Sequence, residues 1–203
     1  MRILILGPQG SGKGTQARRI AALHDVPHVA TGDILRAAIA DGSELGLRVE
    51  PILERGDLVP DDLMVDLIRE RLANEDGFVL DGFPRTVPQA EALDAMLEEI
   101  GKPLDVVLLL GVSDDVALQR LLERGAEEGR LDDALDVLLN RLRLYHGLTE
   151  PVVDRYRSDG MLQSVDGEQT VDAVFAAIED ALGARLQPDP RSHLGSDPEK
   201  VRP

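Results

Sequence analysis

The residues best equipped for chemistry lie at the amino end, where Gly7-Pro8-Gln9-Gly10-Ser11-Gly12-Lys13-Gly14-Thr15 follows the apolar run Ile3–Leu6. Glycines at 7, 10 and 12 let the chain curl so that successive backbone N–H groups face one anion, and a helix opening there adds the positive end of its dipole. Lys13 supplies a mobile ammonium for the outer phosphates of such an anion, and Thr15 a hydroxyl near the same place. Lysine is scarce elsewhere, since of 22 basic residues only Lys13, Lys102 and Lys200 are lysines. A chain that avoids lysine but keeps one in this turn is using it, so the stretch reads as a phosphate cradle rather than a merely flexible connection.

Arginines form the second group. Arg36, Arg85, Arg120, Arg124, Arg130 and Arg141 sit at or beside expected loop ends, where planar guanidinium forks can hold phosphate oxygens in pairs. Arg120 and Arg124 share a helix face, and Arg130 and Arg141 return to nearly one face if helix joins them. Together they exceed what one triphosphate needs and point to a second phosphorylated ligand. His24 and His28 have the spacing of two metal ligands on one helical turn, but Pro27 breaks that turn, so they read as structural.

The elements that must position these groups alternate in type. Strands are expected at Ile3–Leu6, Pro27–Ala30, Gly77–Leu80, Leu104–Leu110 and Met161–Val165, the fourth being a continuous apolar run suited to the centre of a parallel sheet. Helices are expected from Lys13 to Leu23, with Ala17, Ile20 and Ala21 inward, and from Thr31, with Thr31 or Asp33 as cap. Further helices are expected over Glu44–Glu54, from Asp61 and Asp62 as caps to Leu72, from Pro88 to Ile100, and over Val116–Arg124. A long helix capped by Asp132 and Asp133 and a last one over Val171–Leu182 complete the set. The pattern predicts an α/β fold, a doubly wound five-stranded parallel sheet with ligands at the carboxyl ends of its strands. Gly7, Thr31, Asp81 and Gly167 each fall just past such an end. Residues 30–59 read as a small helical flap and 125–131 as a short polar loop. Residues 184–203, with four prolines and no apolar period, read as a disordered tail.

At 203 residues the chain can bury one α/β core, so residues 1–183 are expected to form one main domain. The absence of cysteine excludes disulfides and thiolate zinc sites. No apolar run approaches the roughly 20 residues of a membrane span, and no signal peptide precedes the first strand, so a soluble cytoplasmic protein is expected. A net charge of −16 argues against a nucleic-acid partner. It also requires that arginines concentrate in the site while acids cover the exterior.

Seven stretches carry a resemblance to a known family. Gly7-Pro-Gln-Gly-Ser-Gly-Lys-Gly-Thr-Gln16, Thr31-Gly-Asp-Ile-Leu-Arg36, Gly56-Asp-Leu-Val-Pro60 and Asp81-Gly-Phe-Pro-Arg-Thr86 are the first four. Arg120-Leu-Leu-Glu-Arg124, Arg130-Leu-Asp-Asp133 and Asp166-Gly167 complete them. In order and spacing they resemble adenylate kinase of the short-lid form, a nucleoside monophosphate kinase with a P-loop NTPase core, over roughly residues 1–183. The resemblance implies reversible, Mg²⁺-dependent phosphoryl transfer between ATP and AMP, with two ADP as product and no zinc, in a monomer without nucleic-acid or membrane partners. Gly10, Ser11, Gly12, Lys13, Gly14 and Thr15 would bind the ATP phosphates, with Arg120 and Arg124 over adenine and phosphates and Gly167 and Gln169 near the base. AMP would be held by Thr31, Arg36, Asp57, Leu58, Val59, Gly82, Phe83, Pro84, Arg85 and Gln89, the Gln89 amide meeting both the donor and the acceptor on the adenine edge. Lys13, Arg85, Arg124, Arg130 and Arg141 would stabilise the phosphoryl group in transit, the last two also reaching AMP, and Asp81 would order water on Mg²⁺. Two positions depart from the family pattern: Gln9 stands where proline is common, and Gln169 where lysine is frequent.

Two other activities share parts of this pattern. A UMP/CMP kinase of the same superfamily usually has alanine at the position of Thr31. A nucleotide-dependent switch without turnover would leave the surplus arginines unexplained, and the chain has no Asn-Lys-x-Asp guanine signature.

Overall fold

The structure, a computed structural model, describes residues 1–128 and 135–186. Strands β1 (Arg2–Leu6), β2 (His28–Ala30), β3 (Phe78–Asp81), β4 (Val106–Gly111) and β5 (Leu162–Asp166) form one all-parallel sheet in the order β2-β3-β1-β4-β5. Parallel neighbours need crossovers, and helices supply them: α1 (Lys13–His24), α2 (Thr31–Ala40), α3 (Glu44–Glu54), α4 (Asp61–Leu72), α5 (Val87–Glu99), α6 (Asp114–Glu128), α7 (Leu135–Leu144), α8 (Glu150–Ser158) and α9 (Val171–Leu186). A π-helical turn, Tyr145–Thr149, joins α7 to α8.

The period-two alternation of β1 divides the core into two layers. Leu4 and Leu6 join Leu80 and Val107 on one face, beneath Met64, Ile68 and Leu72 of α4, Leu93 and Leu97 of α5, and Val152, Val153 and Tyr156 of α8. Ile3 and Ile5 join Val79, Val106, Leu108 and Leu110 on the other, beneath Ala17 and Ile20 of α1 and Val174, Ile178 and Leu182 of α9. Each buried Val, Leu, Ile or Met side chain among these contributes roughly 1.5–3 kcal/mol on leaving water, and strands buried on both faces accordingly read as unbroken apolar runs. The inward positions expected for α1, Ala17, Ile20 and Ala21, are all buried, with Gln16 beside them.

Several expected boundaries and caps are corrected. Helix α6 continues to Glu128, so its backbone is helical where a loop was expected from residue 125; residues 129–134, with Arg130, Asp132 and Asp133, lie outside the described residues. Helix α9 runs through Gly183 to Leu186, past the expected tail boundary: Val174, Ile178 and Leu182 already anchor its inner face, and one glycine costs a helix only about 1 kcal/mol. Residues 187–203 of the expected tail also lie outside the described residues. Neither Thr31 nor Asp33 caps α2; Ala30 is its N-cap, and the Thr31 hydroxyl donates instead to the Asp81 carbonyl at 3.3 Å. Helix α4 begins after Pro60 without a side-chain cap, because the Asp61 carboxylate is turned to α5. That helix begins at Val87, one residue earlier than expected, its amide at Gln89 capped by the Thr86 hydroxyl.

Candidate active site

The carboxyl ends of β1, the central strand of the sheet, and of its neighbour β3 open into a cavity of about 430 Å³. Its floor is the glycine turn after β1. Gly10 has φ of +82°, and a Cβ there would stand 2.4 Å from the Ala117 carbonyl oxygen of α6, so only glycine lets the turn lie this close to the helix. Gly12 caps α1, whose first residue is Lys13, and the free N–H groups of that helix end face the same space.

The sequence-derived residues converge here. Gly10, Gly12, Lys13, Gly14 and Thr15 line the cavity with Thr31, Arg36, Asp57, Leu58 and Val59, with Asp81, Gly82, Phe83, Pro84, Arg85 and Gln89, and with Arg120, Arg124 and Arg141. Ser11 is buried behind the turn. Gly167 and Gln169 stand on the loop after β5, outside the cavity wall; Arg120 spans the gap, donating to the Gly167 carbonyl at 2.9 Å. The Gln169 side chain turns to Asp166 at 3.2 Å. Arg130 lies outside the described residues.

Charge separates this cavity from the rest of the surface. Among the described residues, seven basic side chains line it against three acidic ones, in a chain of net charge −16. The cluster is costly without an anion: burial, with Arg141 and Arg36 nearby, pushes the Arg85 pKa down, although Asp81 opposes the shift. Burial likewise lowers Lys13 to about 8, with Asp81 opposing and Arg85 and Arg124 adding to the fall. In this structure the Lys13 ammonium donates to the Pro8 carbonyl at 2.8 Å. Burial acts to raise the Asp81 pKa but is outweighed by His28, Lys13 and Arg85, so the carboxyl is held below its ordinary range and stays ionised. His28 Nε2 lies 3.6 Å from Asp81 Oδ2, too far for a hydrogen bond but near enough for charge to act.

Gln89 differs from the expectation of a free amide. Its Oε1 accepts from the Arg85 backbone N–H at 2.7 Å, and its Nε2 donates to Asp61 at 2.7 Å. One lone pair and one N–H remain for a ligand. Asp61 also accepts from the Thr86 hydroxyl at 2.9 Å, and Thr149 donates to the Arg85 carbonyl at 2.9 Å, so the segment bearing Arg85 is fixed from α4, α5 and the π turn together. Arg85 Nε itself donates to the Gly82 carbonyl at 2.8 Å.

The flap of α2 and α3 is docked on α7. Asn140 Nδ2 donates to the Arg55 carbonyl at 3.0 Å and to Asp57 at 3.1 Å, and a Cβ on Gly56 would stand 2.8 Å from Val137 Cγ1. Arg55 pairs with Asp57 at 2.9 Å, which with Asn140 holds that carboxyl below its ordinary range.

Sequence reasoning missed Gln9, Arg18, His28, Met64, Tyr145 and Thr149 as cavity residues. Gln9 and Arg18 were within reach, one inside the glycine motif and one a turn into α1. Nothing in the sequence signals that a π turn presents Tyr145 and Thr149 to the site.

The glycine turn, the arginines and residues of the flap all line one cavity, and comparison with known proteins names a family. A family model described as adenylate kinase matches residues 5–161. The chain is 47% identical over 189 residues to the adenylate kinase of Parvibaculum lavamentivorans, covering 90% of this chain and 92% of the relative. It is 46% identical over 186 residues to that of Xanthomonas euvesicatoria pv. vesicatoria and 45% identical over 186 residues to that of Xanthomonas campestris pv. campestris, covering 90% of this chain and 100% of the relative in both cases. With a match of that length falling on the residues that build the cavity, the chain belongs to the adenylate kinase family.

Proposed function

We propose that this chain catalyses reversible phosphoryl transfer between ATP and AMP, giving two ADP. The observation that carries the proposal is the surplus of positive charge in one cavity, which we read as two sets: the glycine turn with Lys13, and Arg36, Arg85 and Arg141. One triphosphate occupies the first set; the second suits a monophosphate held end to end with it.

In the reaction an AMP phosphate oxygen forms a bond to the γ-phosphorus of ATP as the bond from that phosphorus to the β–γ bridging oxygen breaks. The electron pair stays on the departing ADP. Catalysis then rests on alignment and on positive charge around the moving group. Lys13 leaves the Pro8 carbonyl for the phosphates, while Arg85, Arg124 and Arg141 grip the oxygens of the transferred group, joined by Arg130. Backbone N–H groups of Gly10 to Thr15 hold the donor; Arg120 bridges the donor site to the Gly167 loop, with Gln169 beside it. Thr31, Arg36, the Asp57–Val59 backbone, Gly82–Arg85 and the remaining hydrogen-bonding capacity of Gln89 hold AMP. The residues present fit a hard divalent cation arriving with the nucleotide, since the ionised Asp81 carboxylate lies against the Gly14 backbone and offers oxygen to a metal-bound water. Mg²⁺ bound there would neutralise charge on the β- and γ-phosphates. The flap over residues 30–59 excludes water that would otherwise hydrolyse ATP.

The test is a coupled ADP-release assay at fixed ATP and Mg²⁺ with AMP, UMP, CMP and GMP in turn. We expect AMP to lead in kcat/KM by about one to two decades, the range one unsatisfied buried contact supplies. UMP or CMP equalling AMP would make the chain a pyrimidine monophosphate kinase, and ATP binding without transfer to any acceptor would make it a switch.

A further inference from the structure

We infer that Gln9 is a further catalytic residue of the transfer reaction proposed above, its side-chain amide contacting the phosphoryl group as it moves. Gln9 lines the cavity. It follows Pro8, whose carbonyl holds the Lys13 ammonium at 2.8 Å, so it belongs to the same turn as the cation that acts on the outer phosphates. Its Oε1 is sealed from solvent and has no hydrogen-bond partner, and among the described residues its Nε2 makes no hydrogen bond. Buried polar atoms are nearly always paired. A glutamine whose role was to hold the loop together would bond to the loop, as Gln89 bonds at both ends to its own surroundings. Gln9 is unpaired on a rigid support: Gly10, the next residue, is pressed against Ala117 of α6, so the turn cannot retreat to find the amide a partner.

A tetrahedral phosphoryl group supplies the missing acceptors, and the guanidinium groups that grip it supply the missing donors. During transfer one phosphorus–oxygen bond forms and one breaks, no proton moves, and the charge spread over the three equatorial oxygens must be held throughout. The Gln9 N–H donates to one of those oxygens while Oε1 accepts from a guanidinium gripping the same group. Proline, common at this position in the family, offers neither contact.

The experiment compares Gln9→Leu, Gln9→Glu and Gln9→Asn with the wild type. Transfer is measured in single turnover, so that product release does not mask the chemical step, alongside KM for AMP, calorimetric Kd for ATP without acceptor, and Tm. We expect Gln9→Leu to slow transfer about tenfold with Kd and KM within twofold and Tm within 2 °C of wild type. Gln9→Glu should be slower still, because it removes the donor and sets a carboxylate against phosphate, and Gln9→Asn should recover part of the loss. Transfer rates within twofold of wild type in both Leu and Glu variants would overturn the inference. So would a loss shared equally by Kd for ATP, which marks ground-state binding, or a matching fall in Tm across all three. Failure of the wild type itself to transfer to AMP would instead sink the function on which this inference rests.

Discussion

Replacing Lys13 with methionine should stabilise the ligand-free protein while nearly abolishing turnover. Burial drives the Lys13 pKa from an ordinary 10.5 to about 8, the Asp81 carboxylate opposing and the Arg85 and Arg124 guanidiniums adding to the fall. That difference corresponds to about 3 kcal/mol held against the folded state at neutral pH. Methionine removes the charge, the Asp81 attraction being already contained in that figure, but forfeits the hydrogen bond to the Pro8 carbonyl, which returns about 1–2 kcal/mol. A net gain of about 1–2 kcal/mol remains, a rise of roughly 2–8 °C in Tm for a domain of this size. The pH dependence follows from the direction of the shift. Between pH 8 and 10.5 the unfolded chain keeps the lysine proton that the folded chain has lost, so wild-type stability rises with pH there and the advantage of the variant shrinks. Thermal unfolding of both proteins at pH 7 and pH 9.5, with turnover measured in the same buffers, checks both halves. A variant that melts at or below wild type at pH 7, or that keeps kcat within tenfold, would refute the reasoning.

Two further outcomes are expected. Asn140→Ala should raise KM for AMP several-fold and leave KM for ATP unchanged, because it frees the Arg55–Asp57 end of the flap from α7; steady-state kinetics with each nucleotide varied would show this, and equal effects on both would refute it. His146→Gln should lower Tm by about 1–3 °C at pH 5.5 and by less at pH 8.5, since hydrogen bonds to Glu150 and Asp114 raise the His146 pKa, and a raised pKa gives stability that is lost as pH climbs through it. The pair is largely exposed, which keeps the effect small.

The parts legible in the sequence were those that backbone chemistry dictates. Five apolar runs separated by helical periods leave few alternatives to a parallel sheet, and Gly10 and Lys13 announce a phosphate turn because no other residue types serve there. What escaped were contacts in which a side chain serves a distant element instead of its own. Asp61 and Thr31 are both good capping types, yet each turns to a neighbouring segment, Asp61 to Thr86 and Gln89, Thr31 to the Asp81 carbonyl. Local propensity cannot tell a cap from such a tie, since the same oxygen serves either. The extension of α9 past Gly183 escaped for a related reason: the glycine looks like a stop unless one knows that Leu182 is already anchored in the core.

Those distant ties explain how a cluster of like charges survives in a protein that stays folded. Arg85 is pinned through its backbone N–H by Gln89, through its carbonyl by Thr149 and through Nε by Gly82, three contacts that act on its position and none that neutralises it. Asp81 is the carboxylate that acts on both Lys13 and Arg85, and one acid cannot balance two cations that also feel Arg124 and Arg141. The cavity therefore carries positive charge that an anion relieves, and each phosphate that enters recovers free energy already spent in folding. Arg141 stands on α7, and α7 also receives the flap through Asn140, so one helix both carries a cation of this cavity and holds the flap that lines it.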